Sequence, residues 1–213
     1  MKATTRPSPK IEKSSRRVFQ EYSEAFVVAV ILAIIIRAFL VQAFKIPSSS
    51  MEPTLLVGDH ILVNKFIYGV RIPFTDQRWP KLRLPERGDV IVFIYPEDRT
   101  KDFIKRVVAI EGDTIEVRNK KVVLNGREIE DPHAYHRDKQ IMPGSISPRD
   151  NMAPITVPQG NLFVMGDNRD FSQDSRFWHF VPIEDVKGNA FMIYYSARAF
   201  PMIRWGRLFK IIH

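Results

Sequence analysis

The sequence predicts a mainly β domain that follows a single apolar helix near the N-terminus. Two observations indicate this fold class. One long apolar run covers residues 25–44, and beyond it the apolar residues fall in short stretches of strand character. No amphipathic helical stretch of comparable strength follows the run. We therefore expect residues 45–213 to form one β-rich domain.

The first 24 residues are polar and basic, which predicts a mobile cytoplasmic tail over residues 1–24. The run over residues 25–44 matches the roughly 20 apolar residues that a transmembrane helix needs. Because basic flanks stay in the cytoplasm, we expect a single-pass protein of the plasma (inner) membrane. Residues 45–213 would then lie on the extracytoplasmic face.

Two other interpretations of this region stay open. A cleavable signal peptide would have its apolar core at residues 25–36 and a small-residue cleavage site at Val41-Gln42-Ala43. Arg37 is either a functional charge within the membrane or a side chain that snorkels to the interface from the outer half of the run. Snorkelling is the simpler interpretation.

Seven stretches after the run have strand character. Asp89–Tyr95 and Phe103–Ile110 are the longest, and the first is almost continuously apolar, as in a buried strand. Asn119-Lys120 predicts a tight hairpin, and Asn125-Gly126 predicts a further turn. The other stretches are His60–Asn64, Thr114–Arg118, Lys121–Leu124, Asn161–Met165 and Ala190–Tyr195.

Two regions lack a clear strand pattern. Residues 131–158 contain five prolines, which predicts a long, irregular and exposed insertion. His133 and His136 lie in it without a carboxylate at ligand spacing, so we expect no metal site there. The stretch Arg198–His213 is basic and aromatic, which suits a membrane interface and a closing element with a solvated charged side equally well.

Composition excludes several classes of function. The chain has no cysteine, so thiolate catalysis, cysteine-based zinc sites and disulfides are absent. Its net charge of +8 is spread along the chain, and none of the usual nucleic-acid-binding modules is present. We expect no cofactor and no nucleic-acid partner. The positive net charge favours the lipid bilayer as the anionic partner of the protein.

The segment Ile46–Thr54 follows the apolar run directly and places three serines between two prolines. Each proline fixes its own φ and biases the preceding residue towards extended backbone, so we expect a stiff segment that carries hydroxyl groups. Its composition alone is typical of a linker. A serine nucleophile would also need a base, because its hydroxyl is a weak nucleophile while protonated.

Lysine is the candidate base, since none of the five histidines lies in a recognisable triad setting. Burial would have to lower the pKa of such a lysine by about three units. In the strand predicted over residues 103–110, Lys105 lies between the apolar Phe103 and Val107 on one face. Ala109 continues that face. The same pattern also fits a lysine that snorkels at a strand edge.

A second polar cluster covers Gly166–Arg176 and is dense in Asp, Asn, Ser and Gly. This composition is typical of a turn with many internal hydrogen bonds, and a solvated loop is the simplest interpretation. Alternatively, the loop frames a site in which Ser172 holds the base lysine and Asp174 pairs with Arg176.

Four segments of the chain, taken in their order and spacing, carry a family resemblance. They are Ile46–Leu55 (IPSSSMEPTL), Arg87–Val90 with its apolar run, Lys105–Ala109 followed by Gly112-Asp113, and Gly166–Pro182 (GDNRDFSQDSRFWHFVP). Together they resemble the type I signal peptidases, the bacterial leader peptidases. The resemblance extends from about residue 25 to the C-terminus. Phe171 stands where that family more often has Asn, and Ser49 where Gly is common. One membrane span is predicted where some relatives have two.

The resemblance implies roles for single positions. Ser50 matches the family's nucleophile and Lys105 its general base. Ser48 matches the serine whose hydroxyl joins the Ser50 backbone N–H in the oxyanion hole, and Ser172 the serine that orients the lysine. Two supporting ion pairs complete the set: Asp174 with Arg176, and Asp167 with Arg106.

The resemblance also implies a membrane-bound serine endopeptidase that removes signal peptides from secretory precursors. Its substrates carry small residues at the first and third positions before the cut, an A-x-A pattern. Two alternatives stay open. A tethered Ser–Lys autoprotease would need its own cut site, for which Val41-Gln42-Ala43 is the one candidate. In a non-enzymatic tethered β domain, replacing Ser50 or Lys105 would change stability only slightly.

Overall fold

The computed structural model describes residues 15–35, 41–71, 78–79, 82–198 and 202–213. The chain divides into two units, Met1–Ala38 and Phe39–His213. The first unit holds helix α1, Ser15–Ile35, whose side chains are exposed over residues 19–34. The helix begins within the predicted tail, because that stretch contains the helix-forming residues Arg, Gln and Glu.

Within the described residues, none of the helices combines the length and the apolar character that crossing a bilayer requires.

The prediction of a helix over residues 25–44 is wrong at its C-terminal end. Residues 36–40, which include Arg37, lie outside the described residues. Residues 41–44 belong to strand β1, Val41–Lys45, which is antiparallel to strand β2, Asp59–Asn64. A short apolar stretch suits a helix and a strand equally, and here the available partner strand decides.

The described part of the second unit contains fourteen strands. After β1 and β2 they are β3 Val70–Arg71, β4 Arg78–Trp79, β5 Val90–Ile94, β6 Asp102–Ile110, β7 Thr114–Arg118, β8 Lys121–Leu124, β9 Arg127–Glu128, β10 Met152–Thr156, β11 Asn161–Met165, β12 Val181–Pro182, β13 Val186–Ser196 and β14 Lys210–Ile211. One α-helical turn, α2 Ser175–Trp178, lies between β11 and β12, and 3₁₀ turns cover Arg169–Phe171, Ile183–Asp185 and Trp205–Arg207. The prediction of a mainly β chain is confirmed.

The strands form one large and two small antiparallel sheets. The large sheet has the order β1-β2-β13-β5-β6-β11-β12, and β14 pairs with β13. The small sheets are β10-β7-β8-β9 and β3-β4. The pairing of β5 with β6 and of β6 with β11 places β6 inside the large sheet, flanked on both sides.

The seven predicted strands are confirmed as β2, β5, β6, β7, β8, β11 and β13, and β13 begins four residues before the predicted start at Ala190. Both turn predictions are also confirmed. Asn119 and Lys120 have φ values of 48° and 73°, and Asn125 and Gly126 have φ values of 53° and 80°. Positive φ at both central residues defines the tight hairpin turn whose twist matches that of the flanking strands.

The insertion over residues 131–158 is largely irregular and mostly exposed, as predicted, with a few buried residues near its end. Its end forms β10, which pairs with β7. Asp150 is only 1% exposed, and Arg149 binds both Asp150 and Asp138 through its guanidinium. The insertion is held to the rest of the domain by the ion pair of Asp131 with Arg169 and by the bond from the Arg176 guanidinium to the Arg149 carbonyl oxygen at 2.6 Å. Its sequence pattern did not indicate these contacts.

The C-terminal stretch joins the large sheet through β14, which pairs with β13, while Trp205 and Phe209 remain 73% and 69% exposed. Arg207 pairs with the fully buried Asp59. The stretch therefore contains the predicted strand, β14, but the charge of Arg207 is not solvated as predicted, because its side chain is only 14% exposed. The contact of the aromatic side chains with lipid stays a prediction.

Candidate active site

Residues 46–59 form a closed loop between β1 and β2 that carries Ser50, and we call it the serine loop. The Ile46 N–H donates to the Asp59 carbonyl oxygen at 2.8 Å, and the Gly58 N–H donates to the Ile46 carbonyl oxygen at 3.0 Å. These bonds hold the two ends of the loop together at its base. The segment is thus part of the fold, which rules out the linker interpretation.

Two apolar side chains and one asparagine hold the serine loop on the domain. Met51 and Leu55 are buried in an apolar cluster, with exposures of 1% and 0%. Asn168 donates from its backbone N–H to the Ser50 carbonyl oxygen and from its side-chain amide to the Ser49 carbonyl oxygen, both at 3.1 Å. These contacts fix the backbone on which the Ser50 hydroxyl is mounted.

Lys105 lies within β6, in register with Ile91 of β5. Phe103, Val107 and Ile91 pack in the same apolar cluster, so Lys105 occupies an apolar face as the strand period predicts. The prediction was wrong for Ala109, which packs in a different cluster. The pairing of β6 with β11 shifts register between Val107 and Ala109, and such a bulge turns the following side chain to the other face.

The structure brings the side chains of Ser50 and Lys105 together. The Lys105 Nζ atom donates to the Ser50 Oγ atom at 2.8 Å, and the exposures of the two residues are 4% and 8%. Nζ also donates to the Ile104 carbonyl oxygen at 3.0 Å. Burial lowers the pKa of Lys105 to about 8, although Asp174 and Asp167 act in the opposite direction. The amine is therefore far easier to deprotonate than an exposed lysine.

Two hydrogen-bond donors adjoin the Ser50 hydroxyl. The Ser48 Oγ atom lies 3.4 Å from the Ser50 Oγ atom. The Ser50 backbone N–H has no acceptor among the described residues. A hydroxyl and a free backbone N–H beside a candidate nucleophile are the kind of donors that stabilise an oxyanion.

Two buried ion pairs flank the site. Arg176 binds Asp174 through Nε and Nη2 at 2.9 and 2.8 Å, and Arg106 binds Asp167 in the same manner at 2.8 Å for both bonds. Burial alone would raise the pKa of Asp174, but the Arg176 guanidinium outweighs it and the net pKa is lowered. All four side chains are at most 3% exposed.

Ser172 is buried, and its hydroxyl interacts with the Asp174 carboxylate, which helps to lower the pKa of Asp174, but it makes no hydrogen bond to Lys105. The structure therefore lacks the bond to Lys105 that would orient the lysine. Ser172 packs instead against Gly166, where an added Cβ atom would lie 2.3 Å from the Ser172 Oγ atom. The orienting role of Ser172 stays a prediction.

Sequence reasoning missed Asn168 and Tyr135. Asn168 anchors the serine loop, as described above. Tyr135, in the insertion, accepts from the Arg169 N–H at 3.0 Å and donates its own N–H to the Asp167 carbonyl oxygen at 2.8 Å. Asn168 belongs to the quoted GDNR motif, but an asparagine in a polar turn has no feature that separates an anchor from a solvated residue.

A cavity of about 340 Å³ opens beside the Ser50 hydroxyl. Its walls combine the serine loop, the first half of β6 and the polar loop after β11, and they consist of Pro47, Ser48, Ser49, Ser50, Asp102, Phe103, Ile104, Lys105, Phe171 and Gln173. Phe171 is 57% exposed. The described residues contain no group of three or more His, Asp or Glu placed to hold a metal ion.

Comparison with known proteins identifies relatives that match most of the chain. The family model for signal peptidase, peptidase S26, matches residues 19–195. Signal peptidase I of Pseudomonas aeruginosa is 36% identical over 89% of this chain and 78% of its own length. Signal peptidase I of Aquifex aeolicus is 38% identical over 79% of this chain and 82% of its own length.

A crystal structure of a signal peptidase I from Enterococcus faecalis superposes with a TM-score of 0.40 and 26% identity. The match covers 50% of this chain and 97% of that one.

The chain belongs to the signal peptidase family, peptidase S26, because the family model spans most of its length. It is a serine peptidase, and the activity of the family is the removal of signal peptides from secreted precursor proteins. The resemblance drawn from four sequence segments is confirmed.

Proposed function

We propose that the protein is a membrane-bound signal peptidase in which Ser50 is the nucleophile and Lys105 is the general base. One observation carries the proposal: the Lys105 Nζ atom lies 2.8 Å from the Ser50 Oγ atom in a buried site. A lysine in hydrogen-bond contact with a serine, and with a lowered pKa, is able to activate that serine.

The protonation state of Lys105 governs the first step. With a pKa of about 8, roughly one Lys105 in ten is neutral at pH 7. The neutral amine accepts the Ser50 proton as Oγ attacks the scissile carbonyl carbon. The resulting ammonium then gives that proton to the departing amine, and an ester between Ser50 and the signal peptide remains.

Hydrolysis of this ester repeats the same chemistry with water. Lys105 accepts a proton from the attacking water, and the proton returns to Ser50 Oγ as the acyl group leaves. In both steps the negative charge on the carbonyl oxygen is held by the Ser48 hydroxyl and the Ser50 backbone N–H. Removal of one such donor from a serine hydrolase costs about 2.7–4 kcal/mol of transition-state stabilisation.

The shape of the site supports the proposed preference for small side chains before the cut. The cavity of about 340 Å³ is partly apolar, with walls that include Pro47, Phe103 and Ile104. An extended peptide that lies along the strands would place alternate side chains towards such a wall. Small residues at the first and third positions before the cut, as in Ala-x-Ala, then share one face.

The membrane anchor belongs to the same proposal. It rests on the apolar run that begins at residue 25 and on the basic residues before it. The N-terminus would lie in the cytoplasm and the catalytic domain on the extracytoplasmic face.

A self-processing protease is the weaker alternative. Its one candidate cut site, Val41-Gln42-Ala43, lies in β1, where each residue is paired with β2. A peptide bond within a paired strand must leave the sheet before it can enter a protease site. This pairing favours cleavage of a separate precursor over self-cleavage.

The experiment compares the detergent-purified wild type with Ser50→Ala and Lys105→Ala on an added precursor that carries an Ala-x-Ala site. We expect cleavage after this site by the wild type alone, with both variants folded by circular dichroism. Undiminished cleavage by either variant would contradict the catalytic pair of Ser50 and Lys105, which we call the dyad. Wild-type cleavage of its own chain, without cleavage of the precursor, would favour the self-processing alternative.

A further inference from the structure

We infer that Arg207 and Thr54 are positioning residues that lock the serine loop against the strand carrying Lys105. The inference deepens the proposed function and rests on it. Arg207 comes from the C-terminal stretch and lies outside all four segments that carry the family resemblance. Neither residue reaches the Ser50 hydroxyl, so each would act through the backbone of the serine loop.

The Arg207 guanidinium joins two points of the serine loop. Its Nη2 atom donates to the Thr54 carbonyl oxygen at 2.8 Å and to the Asp59 carboxylate at 2.5 Å, and its Nε atom donates to Asp59 at 3.2 Å. Thr54 lies in the body of the loop, four residues after Ser50, and Asp59 lies at its base. One side chain therefore spans the second half of the loop.

The Asp59 carboxylate is fully buried. Together with Arg207 it forms a cluster of bonds at the base of the serine loop, which we call the clamp. Besides Arg207 it accepts from the Leu56 N–H at 2.8 Å and from the Ser196 hydroxyl at 2.6 Å. Arg204 donates to the carbonyl oxygen of Val57 at 3.0 Å. Two of the four donors to this buried carboxylate come from Arg207, and the Arg204 guanidinium lies 3.7 Å from it. Cations of the C-terminal stretch therefore balance the buried charge, and displacing Arg207 removes the cation that is bonded to it directly.

The Thr54 hydroxyl extends the clamp to the candidate base. It donates to the Asp167 carboxylate at 2.5 Å, and Asp167 is the bidentate partner of Arg106. Arg106 is the neighbour of Lys105 in β6. A continuous line of bonds thus runs from Arg207 through Thr54, Asp167 and Arg106 to the strand that carries Lys105.

This line connects the two halves of the dyad, because it joins the serine loop to β6 independently of the Ser50–Lys105 bond. Catalysis depends steeply on such alignment, and a displacement of about 1 Å can cost roughly a hundredfold in rate. Loosening the line should therefore slow the chemical step while leaving the substrate cavity in place.

The first test uses Thr54→Val, which keeps the shape of threonine and removes its hydroxyl, and Thr54→Ser, which keeps the hydroxyl. We expect Thr54→Val to lower kcat and the single-turnover cleavage rate about 10- to 100-fold, with KM within about twofold of wild type. Thr54→Ser should retain most of the wild-type kcat. Melting temperatures are measured in the same detergent, and all assays are run well below them.

The second test compares Arg207→Lys with Arg99→Lys. Arg99 also binds a buried carboxylate, Asp185, through two bonds of 2.9 and 2.7 Å, but it contacts no part of the serine loop. Lysine keeps the charge and cannot hold the two loop sites in the same fork geometry. We expect kcat to fall at least tenfold in Arg207→Lys and to stay within twofold of wild type in Arg99→Lys.

The outcomes separate this inference from the proposed dyad. Loss of activity in Ser50→Ala together with wild-type kcat in Thr54→Val and Arg207→Lys would overturn the inference and leave the dyad intact. Equal losses in Thr54→Val and Thr54→Ser would also overturn it, since the hydroxyl would then be irrelevant. Activity in Ser50→Ala would instead remove the proposed function on which the inference rests.

Discussion

Gly166 passes so close to Ser50 that no side chain fits between them. A Cβ atom at Gly166 would lie 2.4 Å from the Ser50 carbonyl oxygen and 2.3 Å from the Ser172 Oγ atom. Both contacts are far inside van der Waals distance. The polar loop after β11 can therefore approach the serine loop only because residue 166 is glycine.

Gly166→Ala should consequently displace the serine loop from Lys105. We expect the cleavage rate to fall at least tenfold and the free energy of unfolding to drop by about 1–3 kcal/mol, as for other overpacked sites. Gly206→Ala is the matched control, since nothing lies within 4 Å of a Cβ atom there. Equal activity of the two variants, measured on one precursor, would show that the close approach has no catalytic consequence.

The pH dependence of cleavage should follow the protonation of Lys105. Since the neutral amine is the base, kcat/KM should rise about tenfold per pH unit below the lysine pKa of about 8 and level off above it. The check is a kcat/KM profile from pH 6 to 10 on a precursor without titratable groups near the cut. A profile that is flat below pH 8 would contradict a lysine base.

Lys105→Met should stabilise the fold while abolishing cleavage. Burial lowers the pKa of Lys105 from 10.5 to about 8, so the folded state binds the proton more weakly than the unfolded chain. The wild type is therefore penalised below pH 8 and regains stability as the pH rises from about 8 to 10.5. We expect a gain of about 1–3 kcal/mol at pH 7 that shrinks by pH 10, measured by urea unfolding. A destabilised variant at pH 7 would contradict the depressed pKa.

Asp174→Asn should be among the most destabilising isosteric changes in the domain. It leaves the Arg176 guanidinium, only 1% exposed, without its charged partner. Breaking a buried pair in this way costs about 3–5 kcal/mol. Glu128→Gln serves as control, because its partner Lys121 and Glu128 itself are 64% and 55% exposed. Similar urea midpoints for the two variants would show that the buried pair contributes nothing.

Sequence reasoning reached most of the fold because local signals were strong. Apolar runs predicted β5 and β6, and the Asn119-Lys120 and Asn125-Gly126 pairs predicted turns that require positive φ. The same reasoning gave a wrong prediction for residues 41–44. Their composition suits a membrane helix, and only the presence of β2 as a partner determines that they form a strand.

Some residues of the site could be predicted from the sequence and others could not. Strand alternation placed Lys105 on an apolar face, and the family resemblance paired it with Ser50, which the structure brings within 2.8 Å. The residues that anchor the serine loop, Asn168 and Arg207, were not predicted, because they are distant from it in sequence and contact it through side-chain hydrogen bonds and an ion pair. Such contacts leave no periodic or compositional trace in the sequence. The bulge before Ala109 was likewise invisible, since one extra residue in a strand has no characteristic residue type.

The most direct measurement of the central claim is the pKa of Lys105 itself. Lysine side chains labelled with ¹³C are titrated by NMR in the Ser50→Ala variant, and Lys105→Arg identifies the resonance. A titration midpoint near 8, matching the midpoint of the wild-type kcat/KM profile, is the result that the Ser50–Lys105 dyad predicts. A Lys105 midpoint near the ordinary lysine value of 10.5, with cleavage still rising around pH 8, would contradict it.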